Sequence, residues 1–253
     1  MSHTRNPFSL AGKRVLVSGA SSGIGRQIAV SCAQMGANII GVGRDEERLY
    51  KTQQLLDEVG SGHQMVRADL TDAAGRDAVI SALGGMPVHG VAHTAGISRL
   101  APVRMFTEQH MREVQAINVE APMLLTQGLL KRNLVQEGGS LLFISSIAAH
   151  IGVPGVGVYS GTKAALLAIV RSLSMEVAKR RIRANCLSPA LVKSPLLDAT
   201  AKLVGGLEQE ESNYPLGFGT VEDVANAAIY FLSDASRWVT GTTLVMDGGL
   251  TVT

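Results

Sequence analysis

The chain has 253 residues, 46% of them hydrophobic and 17% charged, with a net charge of only +2. That length suits one α/β domain with a sizeable core. The near-neutral balance excludes a dedicated polyanion binder, and Lys179-Arg180-Arg181 reads as a solvated helix end rather than a nucleic-acid patch. Cys32 and Cys186 lie in apolar segments and are expected as buried, reduced thiols. The start MSHTRNPFSLAGKR is polar and basic, unlike a signal peptide, and no apolar run reaches the ~18 residues of a membrane span. A cytoplasmic protein without membrane or nucleic-acid partners is the expectation.

In chain order, apolar strand-like runs fall at 14–19, 38–43, 64–68, 89–96, 140–146, 182–189 and 242–249. Helical patterns lie between them near 24–35, 45–59, 71–83, 108–132, 159–181 and 221–233. Short strands apolar on both faces, each followed by a helix, predict a parallel sheet covered on both sides. No linker divides the chain, so 1–253 is read as one α/β domain. The least patterned stretch, 190–219, holds Pro195, Gly205, Gly206 and Pro215 and suits a lid over a site.

The first strand ends Ser18-Gly19-Ala20-Ser21-Ser22-Gly23-Ile24-Gly25 and a helix follows. Gly19 permits a sharp turn, Gly23 lets backbone approach a pyrophosphate, and Gly25 lets the helix pack on the sheet. Free amides at the helix N-terminus then face phosphate. A glycine-rich connection without a ligand is the plainer alternative. The spacing G-x-x-x-G-x-G resembles the short-chain dehydrogenase/reductase family, with Ser18 where the family has Thr.

The second strand ends at Gly43, with Arg44 next, where an NAD enzyme usually places a carboxylate for the adenosine ribose. A guanidinium there suits a 2′-phosphate, so NADP(H) is expected over NAD(H). Asp45 with Arg48 one turn on is explained locally as a helix N-cap, and Ser21 and Ser22 could add hydroxyls. The resemblance further implies cofactor contacts from Ile24, from Asp69 and Leu70 beside the adenine, from Ala95 and Gly96, and from Pro189, Val192 and Ser194 around the nicotinamide. Asp69 could instead cap the next helix. His93-Thr94 stands where the family has two asparagines; His93 is read as a structural hydrogen-bonder, since no second His or Cys lies at metal spacing, and no metal is expected.

Tyr159 and Lys163 are one helical turn apart on one face. Ser146 ends the fifth strand at the carboxyl edge of the sheet, where ligands bind in open α/β folds. The order S-x12-Y-x3-K is the family's catalytic pattern, and Asn118 matches its fourth member. The resemblance therefore implies a single-domain Rossmann fold, a doubly wound seven-stranded parallel sheet, and an oxidoreductase interconverting a carbonyl and a secondary alcohol. Tyr159 would move the proton, Lys163 would lower its pKa and bond the nicotinamide ribose, and Ser146 would orient the substrate oxygen. Substrate contacts are expected from Ser146, His150, Val153, Tyr159, Leu191 and Leu196, with Ile97, Ser98, Pro154 and Val156 nearby; His150 could simply cap its loop.

Within the family the pattern is similar to 3-oxoacyl-carrier-protein reductases. The basic residues those enzymes present to their carrier correspond by spacing to Glu137 and Met175, neither of them basic. A small-molecule carbonyl or alcohol is thus the expected partner. A scaffold that keeps the fold without turnover is the alternative from another class. Helices 108–132 and 159–181 carry more apolar residues than one buried face needs, which predicts a homotetramer with a dimer as fallback.

Overall fold

The computed structural model describes residues 6–195, 197 and 208–252. Its strands are β1 (Arg14–Ser18), β2 (Asn38–Gly43), β3 (Gln64–Arg67), β4 (Val88–His93), β5 (Val135–Ile144), β6 (Arg183–Pro189), β7 (Val192–Lys193), β8 (Gly219–Thr220) and β9 (Thr243–Met246). Its main helices are α1 (Gly23–Gln34), α2 (Glu46–Asp57), α3 (Ala73–Ala82), α4 (Glu108–Gln115), α5 (Ala121–Lys131), α6 (Gly157–Val177) and α7 (Val221–Leu232). Seven strands form one sheet in the order β3-β2-β1-β4-β5-β6-β9, all parallel. The order reverses between β1 and β4, which opens a crevice at their carboxyl ends.

β5 shows why the sheet is buried on both faces. Leu141 and Phe143 join the core cluster that includes Leu125 of α5 and Leu166 of α6. Leu142 and Ile144 join the opposite cluster with Ile28 of α1 and Phe231 of α7. Alternate side chains of one strand thus feed two cores, as a two-residue period requires.

The helix expected at 108–132 is one rod with a fault in it. α4 and α5 are joined by a π turn, Ala116–Glu120, in which the Ala121 amide reaches back to the Ala116 carbonyl. Pro122, just inside α5, has no N–H to offer the Asn118 carbonyl, and a helix-interior proline forces such an adjustment. α6 starts at Gly157, two residues before the expected start, and yields at Val177 to a short 3₁₀ turn. The two ends of the expected lid are joined by a small parallel sheet, Val192 with Gly219 and Lys193 with Thr220. Residues 196 and 198–207, with Leu196 among them, lie outside the described residues. Among the described residues, no helix is long and apolar enough to cross a membrane.

Candidate active site

At the crevice, Gly19 and Gly23 have φ of +70° and +53°, in the left-handed region that glycine adopts without strain. Gly25 is closed to any side chain: a Cβ there would lie 2.3 Å from the Gly19 carbonyl oxygen and from Thr94 Oγ1. Ser18 Oγ accepts from the Thr94 amide at 3.1 Å and the Ala95 amide at 3.3 Å, while Thr94 Oγ1 donates to the Ser18 carbonyl. Two of the departures from the family signature, Ser18 and Thr94, are therefore each other's partners.

Helix ends carry a second clue. Asp45, Asp72, Thr107 and Thr220 cap α2, α3, α4 and α7 through their side chains. α1 and α6 have no side-chain cap; α5 has none either, because it continues the rod from the π turn. The α1 amides are thus free for an anion. They border a cavity of about 340 Å³ whose wall includes Gly19, Ser21, Ser22, Gly23, Ile24, Gly25, Arg44, Asp69, Leu70, Ala95, Gly96 and Ser194. Glycine backbone, uncapped amides and a guanidinium in one cleft fit a dinucleotide.

At the outer end of that cleft, Arg44 Nη1 lies 3.4 Å from Asp69 Oδ2. Asp69 also accepts from the Thr71 amide at 2.9 Å and hydroxyl at 2.7 Å. Burial opposes the Asp69 carboxylate, yet these Thr71 bonds and the Arg44 charge hold its pKa below the usual value. Asp72, not Asp69, caps α3, accepting from the Gly75 amide, which corrects the capping alternative for Asp69. Asp45 caps α2 by accepting from the Arg48 amide at 3.0 Å, as expected. Arg48 also borders the cavity, a placement that its spacing from Asp45 did not disclose. Beneath it, Arg26 donates to the Ser21 and Arg48 carbonyls and to Thr52 Oγ1, bracing the turn against α2.

At the other end, Ser146 closes β5 and caps a short 3₁₀ turn, Ile147–Ala149. Its hydroxyl lies by the Tyr159 phenol, and burial pushes that phenol above its ordinary pKa against the opposing pull of Ser146. This corrects the expectation of a lowered Tyr159. The Lys163 ammonium stands 5.6 Å from the ring centroid and donates to the Ile144 carbonyl at 2.8 Å. Burial lowers Lys163 itself to about 8. Ser145 Oγ holds the Lys163 carbonyl at 2.8 Å. Asn118 spends its amide on backbone and a hydroxyl: Oδ1 accepts from the Ile97 amide at 2.9 Å, and Nδ2 donates to the Ile97 carbonyl and to Thr162 Oγ1, each at 3.0 Å. Gly96 fits between Asn118 and Lys163, where a Cβ would lie 3.2 Å from Asn118 Oδ1 and 3.3 Å from Lys163 Nζ.

A sequence model of a family described as enoyl-(acyl carrier protein) reductase matches residues 19–251. The 3-oxoacyl-(acyl-carrier-protein) reductase of Chlamydia pneumoniae is 33% identical over 96% of this chain and 99% of its own length. The L-xylulose reductase of Caenorhabditis elegans is 32% identical over 96% of this chain and 97% of its own. The chain belongs to the short-chain dehydrogenase/reductase family. A solved gluconate 5-dehydrogenase from Burkholderia cenocepacia J2315, in complex with NADP and tartrate, superposes with a TM-score of 0.90 at 27% identity over 98% of each chain. This short-chain dehydrogenase/reductase is accordingly an oxidoreductase of alcohol and carbonyl groups.

Not every expected contact reaches the cavity wall. Pro189 and Val192 are buried and stand off it, and Asn118, Ser146, Tyr159 and Lys163 lie behind or beside the wall rather than in it. Ala190, where the family has Gly, is held in place by its amide donating to the Met246 carbonyl at 2.8 Å. His150 is exposed, and its Nε2 bonds Ser188 Oγ at 3.0 Å across the ends of β5 and β6. Val153 is exposed and Leu191 half-buried. His93 is structural: it stacks on Phe143 at 4.6 Å, bonds Thr126 Oγ1 at 2.9 Å, and burial pushes its pKa down to about 3. Thr94 and Arg48, named in the sequence only for a motif departure and a helix cap, and Thr162, named for nothing, are the neighbours whose roles the motifs missed.

Proposed function

We propose that the protein is an NADP(H)-dependent reductase of hydroxylated ketones, in which Tyr159 is the general acid in reduction and the general base in the reverse direction. The observation that carries this is the buried Tyr159 phenol set between Ser146 and the Lys163 ammonium, with Lys163 Nζ directly behind Gly96 of the glycine-walled cleft. NADP(H), when bound, supplies the hydride. Ser146 polarises and orients the substrate oxygen, and Tyr159 delivers the proton to it. Lys163 keeps a positive charge near the phenol, and Asn118 secures the wall at Ile97. At the outer end, Arg44 and Arg48 favour a 2′-phosphate over a bare ribose, and no carboxylate stands at Gly43 to favour NAD(H).

A hydroxylated substrate is favoured by His150, an exposed polar group on the loop after Ser146, and by relatives named for L-xylulose and gluconate. A carrier-protein substrate is disfavoured by Met175, which presents an apolar chain 76% exposed where the resemblance implies a cation. Other exposed apolar residues, Met111 of α4, Leu124 of α5 and Trp238 with Leu244 near β9, support burial against further copies of the chain in a homotetramer. Buried free Cys32 and Cys186 suit a cytoplasmic setting.

The test is oxidation of NADPH and NADH, side by side, against ketoses, sugar-acid ketones, 3-oxoacyl thioesters and simple ketones. Turnover of the hydroxylated ketones with NADPH, lost in Tyr159→Phe, is expected. Cofactor binding without turnover of any carbonyl would return the protein to the scaffold reading. A monomer by light scattering would remove the tetramer.

A further inference from the structure

We propose that Thr162 is a positioning residue for the reaction: its hydroxyl holds the first turn of α6, and with it the Tyr159 phenol, in register with Asn118 and Ile97. The inference rests on Tyr159 being the acid/base.

Thr162 is 3% exposed and Asn118 1% exposed. Thr162 Oγ1 donates to the Tyr159 carbonyl at 2.7 Å and accepts from Asn118 Nδ2 at 3.0 Å. A threonine satisfying only itself inside a helix needs the first of these bonds, the back-bond to the preceding turn. The second reaches out of the helix to a residue 44 positions earlier. Because the other Asn118 donor and its acceptor both close on Ile97, one amide group ties together three segments: the cleft wall after β4, the π turn, and the start of α6.

α6 needs such a tie. Its N-terminus has no side-chain cap, and Tyr159 is its third residue, in the turn where helices are least held by their own bonds. Asn118 is fixed from its other side as well, since both its remaining bonds close on Ile97. The hydroxyl proton is also directed: with Asn118 donating in, the Thr162 proton has to point at the Tyr159 carbonyl. Thr162 touches neither the reacting atoms nor the cofactor cleft wall, so its effect runs through Tyr159.

Thr162→Val keeps the shape, removes both bonds and leaves one Asn118 N–H without an acceptor. With the best carbonyl from the panel, kcat is expected to fall ~10-fold or more, given that small misplacements of a reacting group are costly. KM for NADPH is expected to stay within ~2-fold, because both Asn118 bonds to Ile97 at the cleft wall remain, and the limb of the kcat–pH profile belonging to the acid/base is expected to move. Thr162→Ser, which keeps the hydroxyl, is expected to restore both kcat and the limb. Should Thr162→Val fail to fold, Thr162→Ala against Thr162→Ser reads the same contrast. Tyr159→Phe runs in parallel. Retained turnover there overturns the acid/base assignment itself. Lost turnover there, with the Thr162→Val kcat and pH limb unchanged, overturns only the role of Thr162, even if its melting temperature drops. Failure of Ser to rescue overturns it too.

Discussion

The two ends of the cleft are built on opposite plans. The turn from Gly19 to Gly25 works through side chains that are missing, so that carbonyls, amides and Thr94 can approach within distances that a Cβ would break. The edge made by Ser146, Tyr159 and Lys163 works through side chains that are present: Ser146 Oγ and Lys163 Nζ are each held by a bond, and Tyr159 is held through its backbone carbonyl. Both ends use a helix without a side-chain cap, α1 and α6. At α1 the open amides themselves are the surface offered to a phosphate. At α6 the first turn carries a chemical group, and neighbouring side chains have to steady it. Damage should therefore be steric at the turn and chemical at the edge.

The largest expected effect lies at the edge. Tyr159→Phe should lower kcat ~10²–10⁴-fold, the usual contribution of a general acid, while NADPH titration and the melting curve stay close to wild type. If NADPH binding fell in step with kcat, the edge would be serving the cofactor rather than the proton.

Gly25→Ala should do the reverse. A methyl placed 2.3 Å from the Gly19 carbonyl oxygen has no flexible neighbour to yield, so the turn itself must shift. The expected result is loss of NADPH binding and a stability loss of ~1–3 kcal/mol, typical of overpacking, read by fluorescence titration and denaturant melts. An alanine variant that binds NADPH normally would break the contrast between the two ends.

His93 predicts a pH dependence on the turn side. Its folded pKa is about 3 against 6.5 for a free imidazole, so the unfolded chain binds the extra proton between those values. Stability is then fully present above about pH 6.5 and is lost as pH falls toward about 3. His93→Asn should flatten that acid loss in melts taken from pH 7 down to 4. A profile that is unchanged would place the acid sensitivity elsewhere.

The smallest effect belongs to the exposed arginines. Arg44→Ala should reduce the NADPH-over-NADH preference ~10–100-fold, the scale of one lost charge-assisted contact. Arg48→Ala should do so by less, since its guanidinium also leans on Asp45 at 3.3 Å. Steady-state kinetics with both cofactors checks the order.

Sequence alone determined the alternation of strands and helices, the parallel sheet and the glycine turn, and it supplied the candidates Asn118, Ser146, Tyr159 and Lys163. These are written in local spacing: period-two and helical apolar patterns, glycines where no Cβ fits, and a hydroxyl one turn from an ammonium. It could not reveal that Ser18 and Thr94 compensate each other, that Arg48 joins Arg44 at the cleft, or that Thr162 clamps Asn118, because those bonds cross between segments distant in the chain. Nor could spacing weigh burial against charge. Tertiary packing decided that Tyr159 is pushed up and Lys163 down, since desolvation depends on everything that surrounds a group and not on the residue four places away.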